Sequence, residues 1–332
     1  MVHLFPHENV RPVQEELIEQ VNSAVNDHRN LLVHAPTGLG KTAASLAPAL
    51  EYALKNEKVL FFLTSRHTQH KIAVETLQKI KDKYDKQFNV VDFVGKKSMC
   101  LVPGIESLSS GEFFEYCKTV SREEYKCEFY INSRKQDGKP TAKAEALVDQ
   151  LRSATLEKVM QISNQQKHCP YEITMMLAKK ANVVVCDYYY IFNSRIRNMI
   201  LSKMEKDLQD CIIVVDEAHN LPFRLRDLMT NRITTNVIER AAKEAEKYKF
   251  DDIAVKIRDT KKTMEAIARD LSVDKEKILR KDDIIKPLTD IVGDIESFLA
   301  DLHEASKDIR DEQKASFLGS FHDFVELWQG PD

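Results

Sequence analysis

Two short stretches carry the residue types that phosphate chemistry requires. The first is Gly38-Leu39-Gly40-Lys41-Thr42, which follows an apolar run at residues 30–35 and opens an alanine-rich stretch with helical spacing. Backbone N–H groups in such a loop cradle phosphate oxygens, and the N-terminus of the next helix adds a favourable dipole. Lys41 is placed to reach the β- and γ-phosphates of ATP, and the Thr42 hydroxyl to ligate Mg²⁺. Thr37, Gly38 and Gly40 line the same loop. The general pattern has glycine at its first position, where this chain has Ala35. The second stretch is Asp216-Glu217-Ala218-His219, directly after the aliphatic run at residues 212–215. The carboxyl end of a parallel strand is where an open α/β sheet binds its ligand. There Asp216 can hold Mg²⁺, directly or through water, and Glu217 can orient the attacking water or accept its proton. His219 is counted with the nucleotide site.

Six cysteines form the other candidate chemistry: Cys100, Cys117, Cys127, Cys169, Cys186 and Cys211. In a reducing compartment they are expected as thiols, so each is either a buried apolar group or a metal ligand. Cys186 and Cys211 lie in aliphatic runs and are expected in the core. The other four all fall between residues 99 and 170. The steps between them are 17, 10 and 42 residues, with no close pair. Zinc sites usually show pairs two to four residues apart. This spacing argues against zinc, the rival metal; His168 beside Cys169 could mimic a ligand, but adjacent residues rarely both reach one ion.

The elements that must position these groups read as α/β. Residues 14–26 have apolar positions at helical spacing. Buried strands are expected at residues 30–35, 59–64, 182–186 and 212–216, with a helix at about 67–82. Near-continuous aliphatic strands separated by helices predict a parallel sheet covered on both faces. Residues 99–170 are polar and helical in pattern, and read as an insertion. After about residue 231 the chain becomes charged and wholly helical, as in Ile284, Leu288, Ile291, Ile295 and Phe298. With 43% hydrophobic and 30% charged residues among 332, the chain can build a sizeable core. A net charge of −3 does not fit a protein that coats nucleic acid by charge alone, so any such contact must use a local groove. The N-terminus lacks a signal-peptide pattern and no long apolar run occurs, so no membrane span and a cytoplasmic protein are expected, or a nuclear one in a eukaryote.

Together these residues resemble motifs I and II of superfamily 2 helicases of the DEAH variant. Upstream, Phe5-Pro6 and Arg11-Pro12-Val13-Gln14 look like the adenine-recognising segment, which implies that Gln14 reads the adenine edge with Arg11 close by. Thr64-Ser65-Arg66-His67-Thr68-Gln69 resembles motif Ia, a contact to single-stranded DNA that would use Arg66 and Thr68. The order of the four cysteines, and the ending Cys169-Pro170-Tyr171, are similar to the XPD family of DNA helicases. That resemblance implies one 4Fe–4S cluster held by Cys100, Cys117, Cys127 and Cys169, whose soft thiolates suit iron. It also assigns residues 1–98 and 173–230 to a RecA-like domain, 99–172 to the cluster domain and 231–332 to a helical arch-like domain. In the segment after residue 186, Tyr188 and Tyr190 are expected either to stack bases along the DNA path or to pack in the core.

The resemblance implies ATP-driven 5′-to-3′ movement on single-stranded DNA in a repair setting, with repair or transcription-complex proteins as partners. No Gln-x-x-Gly-Arg-x-x-Arg pattern occurs, so the second RecA-like half and its arginine finger are not expected here. The chain then reads as a fragment unable to unwind DNA alone. Two alternatives are a DEAH-type RNA helicase, against which the cysteine insertion argues, and a non-motor protein that binds DNA or a partner.

Overall fold

The computed structural model describes residues 4–36, 38–108, 110–152, 154–272, 275–313 and 316–329. These divide into two compact units, Met1–Leu108 with Cys117–Arg226, and Ser109–Tyr116 with Asp227–Asp332.

The first unit is built on four parallel strands: β1 (Val59–Leu63), β2 (Val90–Phe93), β3 (Val183–Cys186) and β4 (Cys211–Val215), ordered β2-β3-β1-β4. Register pairs Leu63 with Cys186 on one side and with Val215 on the other, so the carboxyl ends of β1, β3 and β4 lie level. Every residue of β1 and β3 is buried, because side chains alternate between two cores. Leu60, Phe62, Val183 and Val185 face the layer of α1 (Pro12–Asn26), α2 (Lys41–Lys55) and α3 (His67–Tyr84). Phe61, Leu63, Val184 and Cys186 face the opposite layer.

The cysteine-bearing stretch contributes to that opposite layer. It forms α4 (Ser110–Lys118), most of which falls in the second unit, and then α5 (Glu128–Ser133), α6 (Ala142–Gln150), α7 (Leu156–Gln165) and α8 (Pro170–Ala178). Leu147 and Val148 of α6, Val159 of α7, and Ile173 and Met175 of α8 join the sheet's core. The insertion therefore shares the apolar core of the sheet. Short helix α9 (Tyr189–Phe192), α10 (Ser194–Met204) and α11 (Leu221–Met229) complete the series up to the unit boundary.

Two strand expectations are corrected. Residues 30–35 form no strand; Leu32 is 92% exposed, with Leu31 and Val33 also at the surface. An aliphatic run becomes a strand only beside a partner, and no strand pairs with it among the described residues. Conversely, β2 is an added edge strand. Its Asp92 interrupts the apolar run, yet the carboxylate is half-buried against α3, 2.5 Å from His70 Nδ1.

The second unit holds α12 (Thr235–Lys247), α13 (Asp251–Ile267), α14 (Lys281–Val292), α15 (Ile295–Glu312) and α16 (Phe317–Trp328). Its core repeats at three- and four-residue spacing, as in Ile238, Ala241, Ala242 and Ala245 against Leu318, Phe321 and Val325. Inside it the Glu244 carboxylate accepts from Ser316 Oγ (2.9 Å), from the Leu318 N–H (2.8 Å) and from Gln313 Nε2. This fixes the start of α16 to α12.

Candidate functional site: the glycine loop and the acidic turn

Gly38 and Gly40 both adopt φ of +84°, a left-handed conformation that L side chains rarely adopt. Gly40 is the residue before α2, so the loop turns directly into the helix and Lys41 and Thr42 occupy its first turn. Lys41 Nζ donates to the Ala35 carbonyl at 3.0 Å, which closes the loop on itself. Thr37 lies outside the described residues.

The segment before the loop braces it. Arg11 precedes α1 and its guanidinium donates to the Gly38 carbonyl at 3.3 Å. Gln14 is almost fully buried; its Nε2 donates to the Leu39 carbonyl at 2.6 Å and its Oε1 accepts from the Arg11 N–H at 3.0 Å. A β-carbon on Gly40 would collide with that same Nε2. Both residues of the expected adenine-reading segment therefore contact the loop, and here the Gln14 amide is engaged by the loop backbone.

Opposite the loop, β4 delivers Asp216. Its N–H donates to the Leu63 carbonyl at 2.9 Å, continuing the β1–β4 ladder by one residue. Asp216 Oδ2 and Thr64 Oγ1 are both buried without a hydrogen-bond partner, each one residue past the end of its strand. Burial, and then the neighbouring Glu217 charge, raise the Asp216 carboxyl above its ordinary range, while the Lys41 ammonium opposes the shift. The Lys41 charge therefore reaches the acidic group. Thr64 was legible as part of the polar string after β1 and was not among the candidates.

Glu217 has φ of +50°, which is costly for a residue with a side chain and needs external fixing. Tyr188 supplies it. Its ring is 1% exposed, and its hydroxyl donates to the Asp216 carbonyl at 2.5 Å and lies 3.1 Å from the Glu217 carbonyl. Asn220 Nδ2 also donates to the Glu217 carbonyl at 3.2 Å. Glu217 Oε2 lies 3.3 Å from Nδ1 of the exposed His219. Tyr190 packs its ring 5.3 Å from Phe93, and its hydroxyl donates to the Val94 carbonyl at 3.1 Å. Of the two roles left open by the sequence, core packing describes Tyr188, whose ring is buried, while Tyr190 is half-buried against Phe93. Arg66 and Thr68 do stand exposed, at the junction between β1 and α3.

The four cysteines of the insertion all belong to the first unit and are partly buried. Charge on Cys117 and Cys127 is felt at Cys100, and charge on Cys117 at Cys169. Cys127 and Cys169 each immediately precede a helix, α5 and α8. The Cys169 N–H donates to the Phe129 carbonyl at 2.9 Å and to Ser133 Oγ at 2.8 Å, which ties the two helix starts together. Burial pushes the Cys169 thiol up to about 12. His168 is buried beside Ser133 Oγ, 3.4 Å away. Cys186 is fully buried, as expected; Cys211 is only partly so, and its thiol donates to the Asp207 carbonyl.

A glycine loop opening a helix, with an acidic turn at the carboxyl end of parallel strands, is the pattern that α/β folds use for nucleotide phosphates. The comparisons agree. The family model DEAD_2 matches residues 62–238, and the DEAD/DEAH box helicase model matches residues 11–102. The chain belongs to the DEAD_2 family, the XPD-type helicases. It is 30% identical over 236 residues to the ATP-dependent DNA helicase XPD of Sulfolobus acidocaldarius, covering 71% of this chain and 37% of that relative. It is 22% identical over 264 residues to the general transcription and DNA repair factor IIH helicase subunit XPD/RAD3 of Saccharomyces cerevisiae, covering 73% of this chain and 33% of that relative. The chain therefore spans about a third of the length of the curated relatives it matches. A solved structure described as truncated XPD shares its fold, with a TM-score of 0.57 at 24% identity, covering 94% of this chain and 82% of that one. No helix among the described residues is long and apolar enough to cross a membrane.

Proposed function

We propose that this chain holds ATP and Mg²⁺ at the carboxyl ends of β1 and β4 and a 4Fe–4S cluster on its insertion. It would serve a helicase that couples ATP hydrolysis to 5′-to-3′ movement along single-stranded DNA in repair. The observation that carries the nucleotide reading is the pair of orphaned buried oxygens, Asp216 Oδ2 and Thr64 Oγ1, within reach of the Lys41 charge. Unpaired buried oxygens are rare in folded proteins and call for a ligand or water. When bound, Mg²⁺ neutralises charge on the β- and γ-phosphate oxygens. Lys41 would leave the Ala35 carbonyl for phosphate, Thr42 and Asp216 would hold the ion, and Glu217 would orient the attacking water. Arg11 and Gln14 keep the loop in shape for adenosine. Arg66 and Thr68 would contact the DNA backbone, and repair or transcription-complex proteins would be partners.

The donor set fits an iron–sulfur cluster. The four thiols come from four separate segments of the insertion, and soft thiolate ligands suit iron. When bound, the cluster cross-links those segments. This reading makes residues 99–172 a cluster domain, between the RecA-like parts at 1–98 and 173–230, and residues 231–332 an arch-like domain. The test is anaerobic purification of the full chain. A brown protein with broad visible absorption is expected, bleached by Cys100→Ser and not by Cys211→Ser; a colourless, zinc-loaded protein overturns the cluster. Nucleotide binding by titration, lost in Lys41→Ala, tests the ATP site independently.

A further inference from the structure

Helix α16 places His322, Asp323 and Glu326 at positions i, i+1 and i+4. At 100° per residue they stand at 0°, 100° and 40° around the axis, so all three share one face. Their candidate ligand atoms lie within 4.8 Å of one another. His322 is buried at the α15–α16 seam beside Phe321 and Val325, and its Nδ1 lies 3.0 Å from Asp323 Oδ1. From α15, His303 brings a second imidazole, its ring centroid 5.4 Å from that of His322. Neither histidine serves the nucleotide site or the cysteine cluster.

We propose that His303, His322, Asp323 and Glu326 form a binding site for a divalent transition-metal ion of the zinc class. Two imidazole nitrogens and two carboxylate oxygens are the donor types zinc takes in tetrahedral geometry, at about 2.0–2.2 Å. The three α16 ligand atoms, within 4.8 Å of one another, must draw together by about an ångström, and His303 must swing in from α15; side-chain rotation in the exposed His303, Asp323 and Glu326 supplies both movements. The two carboxylates balance the charge of the ion. Imidazole selects against Mg²⁺ and Ca²⁺, which prefer all-oxygen shells. A metal held between α15 and α16 would staple two helices whose connection runs through residues 313–316, and so stiffen the helical unit.

The test uses the full chain and Zn²⁺. His303→Ala and Glu326→Gln alter exposed positions, so both variants should fold. Calorimetric titration should show a zinc site whose affinity falls at least about tenfold in each variant. Because the cysteines can also take zinc, X-ray absorption at the zinc edge supplies the second readout. It should show a nitrogen and oxygen shell at about 2.0 Å that disappears in Glu326→Gln, whereas thiolate zinc would sit at about 2.3 Å. Purely sulfur-ligated zinc, no zinc binding by the wild-type chain, or affinities within about twofold of wild type in both variants would overturn the proposal.

Discussion

Replacing Tyr188 by Phe tests whether the acidic turn is held in place from within the core. The ring is 1% exposed and would stay where it is, so the perturbation is one oxygen atom. That oxygen bonds the Asp216 carbonyl at 2.5 Å and reaches the Glu217 carbonyl at 3.1 Å. A hydrogen bond contributes about 0.5–1.5 kcal/mol net, and leaving a buried acceptor unpaired costs about 1–3 kcal/mol. Asn220 still serves the Glu217 carbonyl, so the main loss is at Asp216. The substitution should cost about 1–3 kcal/mol. For a unit of this size that is a fall in melting temperature of about 2–4 °C per kcal/mol. The assay is urea unfolding of the full chain followed by circular dichroism, with Tyr189→Phe as the control at a half-buried neighbour. The same variant should weaken Mg²⁺-nucleotide binding although Tyr188 touches no nucleotide, because Glu217 loses support for its positive φ. A Tyr188→Phe midpoint equal to that of the control, with unchanged nucleotide affinity, would refute the reasoning.

Other perturbations follow from the same geometry. Gln14→Ala removes the bond to the Leu39 carbonyl and should speed amide exchange across residues 38–41, measurable by mass spectrometry, with a stability loss of about 1–2 kcal/mol. Glu244→Ala strands the Ser316 hydroxyl and the Leu318 N–H inside the helical unit and should cost about 2–4 kcal/mol in denaturant unfolding. Substituting Gln for Glu244 should recover part of that loss. His219→Ala, at an exposed ring, should leave stability unchanged within about 0.5 kcal/mol, so any fall in nucleotide hydrolysis reads its role at the site directly.

The site was more legible than the sheet that carries it. Loop glycines, a lysine before a threonine and an acidic pair after an aliphatic run are local signals, because each residue type is demanded by its immediate task. The bracing of the loop was half legible. Arg11 and Gln14 stood out through the family resemblance, yet their contacts to Gly38 and Leu39 bridge 27 and 25 residues, a distance no local pattern encodes. The tyrosines left two roles open in sequence. An aromatic pair near a DNA path invites a stacking role, whereas the hydroxyl of Tyr188 finds its partners 28 and 29 residues away, in the turn it stabilises.

Strand formation shows why apolarity alone misleads. Residues 30–35 and 59–63 look alike in sequence, both aliphatic and both followed by polar turns. The second run is flanked on both sides, by β3 and by β4, and every one of its side chains is buried. The first has no partner strand among the described residues and stays at the surface, with Leu32 almost wholly exposed. Among the described residues strand β4 pairs only with β1, and its Ile213 is 37% exposed. Among the described residues, neither residues 30–35 nor the outer side of β4 has a strand neighbour. An open sheet edge is a template for pairing, and exposed aliphatic residues strengthen the pull. Burial in a parallel sheet is therefore a property of the pair of strands, decided by what lies alongside. This is why β2, with a charged residue at its centre, is a strand while residues 30–35 are not.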